Sequence, residues 1–126
     1  MIKLTDEAID PAGWLAALKM KGAGSVVTHL GVVKPDPEGR KSSGITFEQA
    51  GDLEAELRAV EAALRERFRI LDLVLVRRLG RLEVGEYIFF GAVCASDRGN
   101  AFAACQELVE RVKKLKCIRK EEHYLK

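Results

Sequence analysis

The chain has 126 residues, 48% of them apolar and 32% charged, with a net charge of +2 at neutral pH. That balance belongs to a folded, water-soluble domain and excludes disordered, collagen-like and disulfide-scaffold classes. At this length one domain, residues 1–126, buries roughly two-thirds of its unfolded surface and needs no metal or disulfide staple.

The first twenty residues carry Asp6, Glu7 and Asp10, so the basic-then-apolar layout of a secretion signal is missing. Asp10-Pro11 reads as a helix start, a capping carboxylate followed by the residue suited to the first helical position. That helix is expected to run to about Met20, with Trp14 and Leu18 facing the core, and Gly22-Ala23-Gly24 breaks it. Ser25 to Lys34 reads as a strand, in which Gly31 marks a bulge or a close backbone approach. Pro35 to Ser42 is a polar loop, and Gly44 to Phe47 a second strand.

Leu53, Leu57, Val60, Leu64 and Phe68 form one apolar stripe at helical spacing, with Asp52 as its N-cap. Leu71, Leu73 and Leu75 alternate along a third strand with Val74 and Val76 on the other side, so both faces are expected to be covered. Leu79 to Glu86 is a polar turn region before a central apolar strand, Tyr87 to Ala95. That strand is far short of the ~20 apolar residues needed to cross a bilayer. Ser96-Asp97 caps the last helix, whose core stripe is read as Phe102, Cys105, Val109 and Val112. The expected order is α-β-β-α-β-β-α, an α+β domain with a mixed or antiparallel sheet covered by helices.

Charge is unevenly placed: Arg111 to Lys126 holds seven basic residues against Glu121 and Glu122. A basic segment on a nearly neutral body points to a local anion site, or else to a solvated helix with a basic end. A nucleic-acid module fits poorly, because aromatics are only 6% and none interleaves with the basic residues before Tyr124. On a continuous helix Lys113 and Lys120 would stack on one face, ~10 Å apart along the axis. Two such ammonium groups hold a phosphate, or one of them loses its proton and acts as base or nucleophile.

Cys94, Cys105 and Cys117 form no paired motif, so reduced thiols in a cytoplasm are the simplest reading. Cys94 and Cys105 read as inert core residues. Cys117 is either a thiol of lowered pKa among its basic neighbours or an incidental small residue. His29 and His123 have no ligand-like spacing with the cysteines, and no metal site is expected. No nucleophile elbow, P-loop or zinc-protease motif is present.

Taken together, GAGSVVTHLGVVK, GITFE, RRLGRLEVGE, ASDRGNAFAACQELVERVK and a lysine seven residues on resemble the large, catalytic subunit of molybdopterin synthase. The resemblance spans roughly Ile2 to Glu122, and its most specific parts are Gly80–Glu86 and the helix opening at Arg98. It implies an α/β-hammerhead fold and a homodimer within a heterotetramer. It also implies a small ubiquitin-like sulfur-carrier subunit whose C-terminal Gly-Gly thiocarboxylate enters each active site. The implied reaction places two sulfurs on cyclic pyranopterin monophosphate, without a cofactor, nucleic acid or membrane, to give the dithiolene of molybdopterin.

By position the resemblance makes Lys113 and Lys120 the catalytic lysines, with Lys34, Asp97, Arg98 and Glu121 joining them in substrate binding. Four departures stand out. Asp97 replaces the usual histidine, Lys34 the usual arginine, Cys117 and Arg119 the usual proline and tryptophan, and Gln49-Ala50 an Ala-Tyr pair. An Asp97 beside an anion site is expected to pair with Arg98 or a lysine. The competing reading is a divergent, non-catalytic homologue acting as a dimeric carrier- or anion-binding protein.

Overall fold

The structure is a computed structural model and describes residues 1–36 and 42–124. In chain order it contains β1 (Ile2–Thr5), α1 (Pro11–Leu15), β2 (Ser25–Val32), β3 (Ser42–Gln49) and α2 (Leu53–Arg67). These are followed by β4 (Asp72–Arg78), β5 (Gly80–Leu82), β6 (Tyr87–Ala95), α3 (Arg98–Lys113) and β7 (Ile118–Tyr124). Residues 37–41 of the expected polar loop and the last two residues of the basic segment lie outside the described part.

The larger sheet has the order β1-β4-β6-β2, with β1 parallel to β4 and the other pairs antiparallel. It is the mixed sheet expected of an α+β fold. Alternation along β4 sends Leu73 and Leu75 to one face and Val74 and Val76 to the other, and all four are fully buried. The first face is covered by Leu53, Leu57, Val60 and Leu64 of α2 with Ala104, Leu108 and Val112 of α3. Ile9 and Leu18, flanking α1, cover the second. A smaller antiparallel sheet, β5-β3-β7, closes a third apolar cluster of Val33, Ile45, Phe47 and Leu82. No helix among the described residues is long and apolar enough to cross a membrane.

Three strands are absent from the expected order. β1 is only four residues long with Lys3 inside it, and its partner lies across the fold, Ile2 opposite Leu75. β5 is three residues within the stretch expected to be a turn. β7, IRKEEHY, is charged and largely exposed and owes its strand form to its pairing with β3.

The helices also differ from expectation. α1 stops at Leu15, where Ala17 and Leu18 donate to carbonyls three residues back and tighten the chain out of the α-helix. Asp10 makes no side-chain cap. Its carboxylate lies over Gly13, where a Cβ would come within 2.9 Å of Oδ2. On α3 the buried stripe is Ala101, Ala104, Cys105, Leu108 and Val112, while Phe102 is 61% exposed and Val109 only partly covered. The seam is built from small residues: a Cβ on Gly91 of β6 would come within 2.7 Å of Leu108 Cδ2. The helix therefore lies close on β6.

Leu108→Ala is expected to cost about 2–5 kcal/mol, because Gly91 offers no side chain to fill the void. Urea denaturation of wild type and variant measures it. A loss below about 1 kcal/mol would mean that α3 settles onto the sheet without Leu108.

Candidate active site

A cleft of about 670 Å³ opens where the edge strand β2, the small sheet and the C-terminal end of α3 meet. β2 and the residues after it supply His29 and Lys34, β4 supplies Arg77, and α3 ends in Lys113. On β7 the period of two places Ile118, Lys120, Glu122 and Tyr124 along the cleft. Among the described lining residues four cations, Lys34, Arg77, Lys113 and Lys120, face two carboxylates, Asp36 and Glu122. Glu122 accepts a short hydrogen bond from the Tyr124 hydroxyl. The site is net positive and suits an anion.

Lys113 and Lys120 share this cleft without sharing a helix. α3 ends at Lys113, the chain turns, and Lys120 lies on β7. Glu56 of α2 holds that turn, its two carboxylate oxygens accepting the backbone N–H groups of Lys116 (2.8 Å) and Cys117 (2.9 Å). The Cys117 carbonyl in turn accepts from the Ala50 N–H at 3.0 Å.

Other sequence candidates fall elsewhere. Glu121 takes the opposite face of β7, with Arg119, which pairs with Glu48 at 3.0 Å. The cleft-side carboxylate is its neighbour Glu122. Asp97 and Arg98 open α3, a 16-residue helix about 24 Å long, so they lie far from the cleft at its other end. Asp97 caps that helix by accepting from the Asn100 backbone N–H at 2.8 Å and from the Asn100 side chain. These bonds hold its carboxyl below the usual range. Asn100 thus takes the place of the expected cation. The Cys117 thiol is pushed up by burial and by Glu56, against the reading of a lowered pKa.

Residues 4–115 match the MoaE protein family. The chain belongs to the MoaE family. A molybdopterin synthase catalytic subunit from Pyrococcus abyssi is 32% identical over 109 residues, covering 86% of this chain and 74% of that protein. Molybdopterin synthase from Staphylococcus aureus shares the fold with a TM-score of 0.90 at 22% identity, covering 98% of this chain and 90% of that one. A Helicobacter pylori complex of subunits 1 and 2 of the molybdopterin-converting factor matches with a TM-score of 0.78 at 19% identity, over 99% and 90% of the two chains.

Beyond the lysines carried over from the resemblance to the MoaE family, the cleft holds two groups that motif reading passes over. Arg77 continues the Leu73-Leu75 face of β4 into the cleft. His29 stacks on Phe89 with ring centroids 5.2 Å apart, and alternation from Val27 on β2 was its only signal. The packing is tight. A Cβ on Gly31 would come within 2.5 Å of the Phe89 ring, so only glycine lets the ring lie there.

Burial, and then the charge of Lys113, hold the His29 pKa below its ordinary value of 6.5. As pH falls from 6.5 toward the folded-state value, the unfolded chain takes up a proton that the folded chain refuses, so stability falls across that window. His29→Phe is expected to flatten this slope, read as urea midpoints between pH 7.5 and 5.5. Parallel profiles for the two proteins would show that His29 titrates freely.

Glu56→Ala leaves two backbone donors without their carboxylate. It is expected to cost about 1–3 kcal/mol and to raise amide exchange at Lys116 and Cys117. Unchanged exchange there would show that the turn holds without Glu56.

Proposed function

We infer that the chain is the catalytic subunit of a molybdopterin synthase, working in the cytoplasm in molybdenum cofactor biosynthesis. It moves sulfur from the C-terminal thiocarboxylate of a small ubiquitin-like carrier subunit to cyclic pyranopterin monophosphate, giving the dithiolene. The observation that carries this reading is the convergence of Lys34, Lys113 and Lys120 from three separate segments on one cleft, in a chain of the MoaE family. Ammonium groups at fixed positions hold the phosphate and offset the negative charge that develops as sulfur attacks and the cyclic phosphate opens. Lys34 in place of arginine supplies the charge without a bidentate fork.

A carrier tail ending in a thiocarboxylate is itself anionic and is drawn to the same cleft. The Helicobacter pylori complex of two different subunits supports such a partner. Asp97 and Arg98 reach substrate only if α3 spans to the cleft of a second copy. A homodimer gives them that role, and the exposed Phe102 beside them supplies apolar surface for its interface.

The test is product formation in vitro from thiocarboxylated carrier and cyclic pyranopterin monophosphate. Lys113 is exposed, so Lys113→Ala is expected to fold normally and to lose about 10²–10³-fold in turnover or more. Mixing Lys113→Ala with Arg98→Ala chains is expected to recover part of the activity, through hybrid dimers holding one intact site. A folded Lys113→Ala protein of normal activity would overturn the assignment.

A further inference from the structure

Two adjacent arginines on β4 are buried, Arg77 at 5% exposure and Arg78 at 9%. Their charges are handled differently. Arg78 faces Glu86, with Nη1 at 3.2 Å from a carboxylate oxygen. Among the described residues Arg77 has no carboxylate partner. Its Nη1 donates to the carbonyls of Arg78 (2.7 Å) and Ile88 (3.3 Å), and its guanidinium carbon lies 4.3 Å from the centre of the Phe47 ring.

Those contacts lock one corner and one face of the guanidinium and leave its other edge over. Among the described residues Nε is closed off from solvent without a hydrogen-bond partner, and Nη2, which makes no hydrogen bond there, is the nitrogen left to the cleft that the residue lines. Burial lowers its pKa to about 10, which leaves it charged at neutral pH. A desolvated cation without a counter-charge is unfavourable in the empty protein and is relieved when an anion binds beside it. Nη2 presents N–H groups to the cleft, suited to a charge-assisted hydrogen bond with a phosphate oxygen. Lys34, Lys113 and Lys120 line the same space, more positive charge than a single carboxylate calls for.

We propose that Arg77 forms the floor of a phosphate subsite in this cleft, donating from Nη2 to the substrate phosphate while the lysines contact it from the rim. This deepens the functional reading above and rests on it. Because Nη1 and the ring face are already held, the guanidinium is oriented before the ligand arrives, and little conformational freedom is lost on binding.

Inorganic phosphate is the probe, titrated calorimetrically into wild type and into Arg77→Met, Arg77→Lys and Lys114→Met. Wild type is expected to bind saturably. Arg77→Met is expected to bind about ten- to a hundredfold more weakly, the loss of a charge-assisted contact to a buried cation. Its melting temperature without phosphate should be equal to or above that of wild type, because an unpaired buried charge is gone. Arg77→Lys, which keeps the charge and loses the held, planar guanidinium, should stay several-fold weaker than wild type and carries the test if the methionine variant misfolds. Lys114→Met, at an exposed position outside the cleft lining, controls for net charge and should bind as wild type does. No saturable binding to wild type, or equal affinity in wild type and both Arg77 variants, would overturn the proposal. So would a preference of Arg77 for a Gly-Gly peptide with a free carboxylate over phosphate. Phosphate binding that depends on Arg77, in a protein that makes no molybdopterin, would retain the subsite and remove the catalytic reading.

Discussion

The two central strands, β4 and β6, are covered on both faces, and most of the architecture answers to that constraint. Leu73 and Leu75 need α2 and α3 on one side, and Val74 and Val76 need the α1 segment on the other. Helix α3 must lie close enough to touch β6 at Gly91, which fixes its axis and so the place where it ends. Lys113 stands at that end. The strand that organises the core also runs out of it: past Leu75 the same face continues into Arg77, where the helices no longer cover it and the cleft begins. Core and site are consecutive stretches of one alternating pattern.

The elements legible from sequence were those with strong local signals. The α2 stripe with its Asp52 cap, whose side chain accepts from the Ala55 N–H at 3.0 Å, was plain in the spacing. So were the limits of β6 and the two-sided character of β4. What escaped was structure whose cause lies elsewhere in the chain. IRKEEHY has no apolar alternation to mark it as a strand and becomes one because β3 offers an edge. The stripe on α3 was misplaced for a related reason. A large Phe102 looks like a core residue, but the close approach to Gly91 selects the face with the alanines.

The site divides along the same line. Lys34, Lys113 and Lys120 were recoverable from the family pattern, and the fold brings all three to one cleft. Their geometry was not recoverable, because reading the basic segment as a continuous helix missed the turn that Glu56 holds. In sequence Glu56 is one more acidic residue in the first turn of a helix, and nothing local announces that it grips a segment sixty residues away. Choosing between Glu121 and Glu122 needed the strand as well, since a period of two reverses which neighbour faces inward.

The pairing of β3 with β7 joins Ser42 to Tyr124, across most of the length of the chain. Contacts this distant in sequence close late in folding, after local helices and hairpins have formed. On a ribosome the cleft therefore stays open until β7 has emerged, after α2, β4 and β6 have been made. A nascent chain stalled before β7 presents Lys34, Arg77 and Lys113 without Lys120 and Glu122, and with the edge of β3 uncovered. Such an intermediate has an unpaired strand edge beside an unfinished charged site, which makes the closing β3–β7 pairing the step most exposed to aggregation during synthesis.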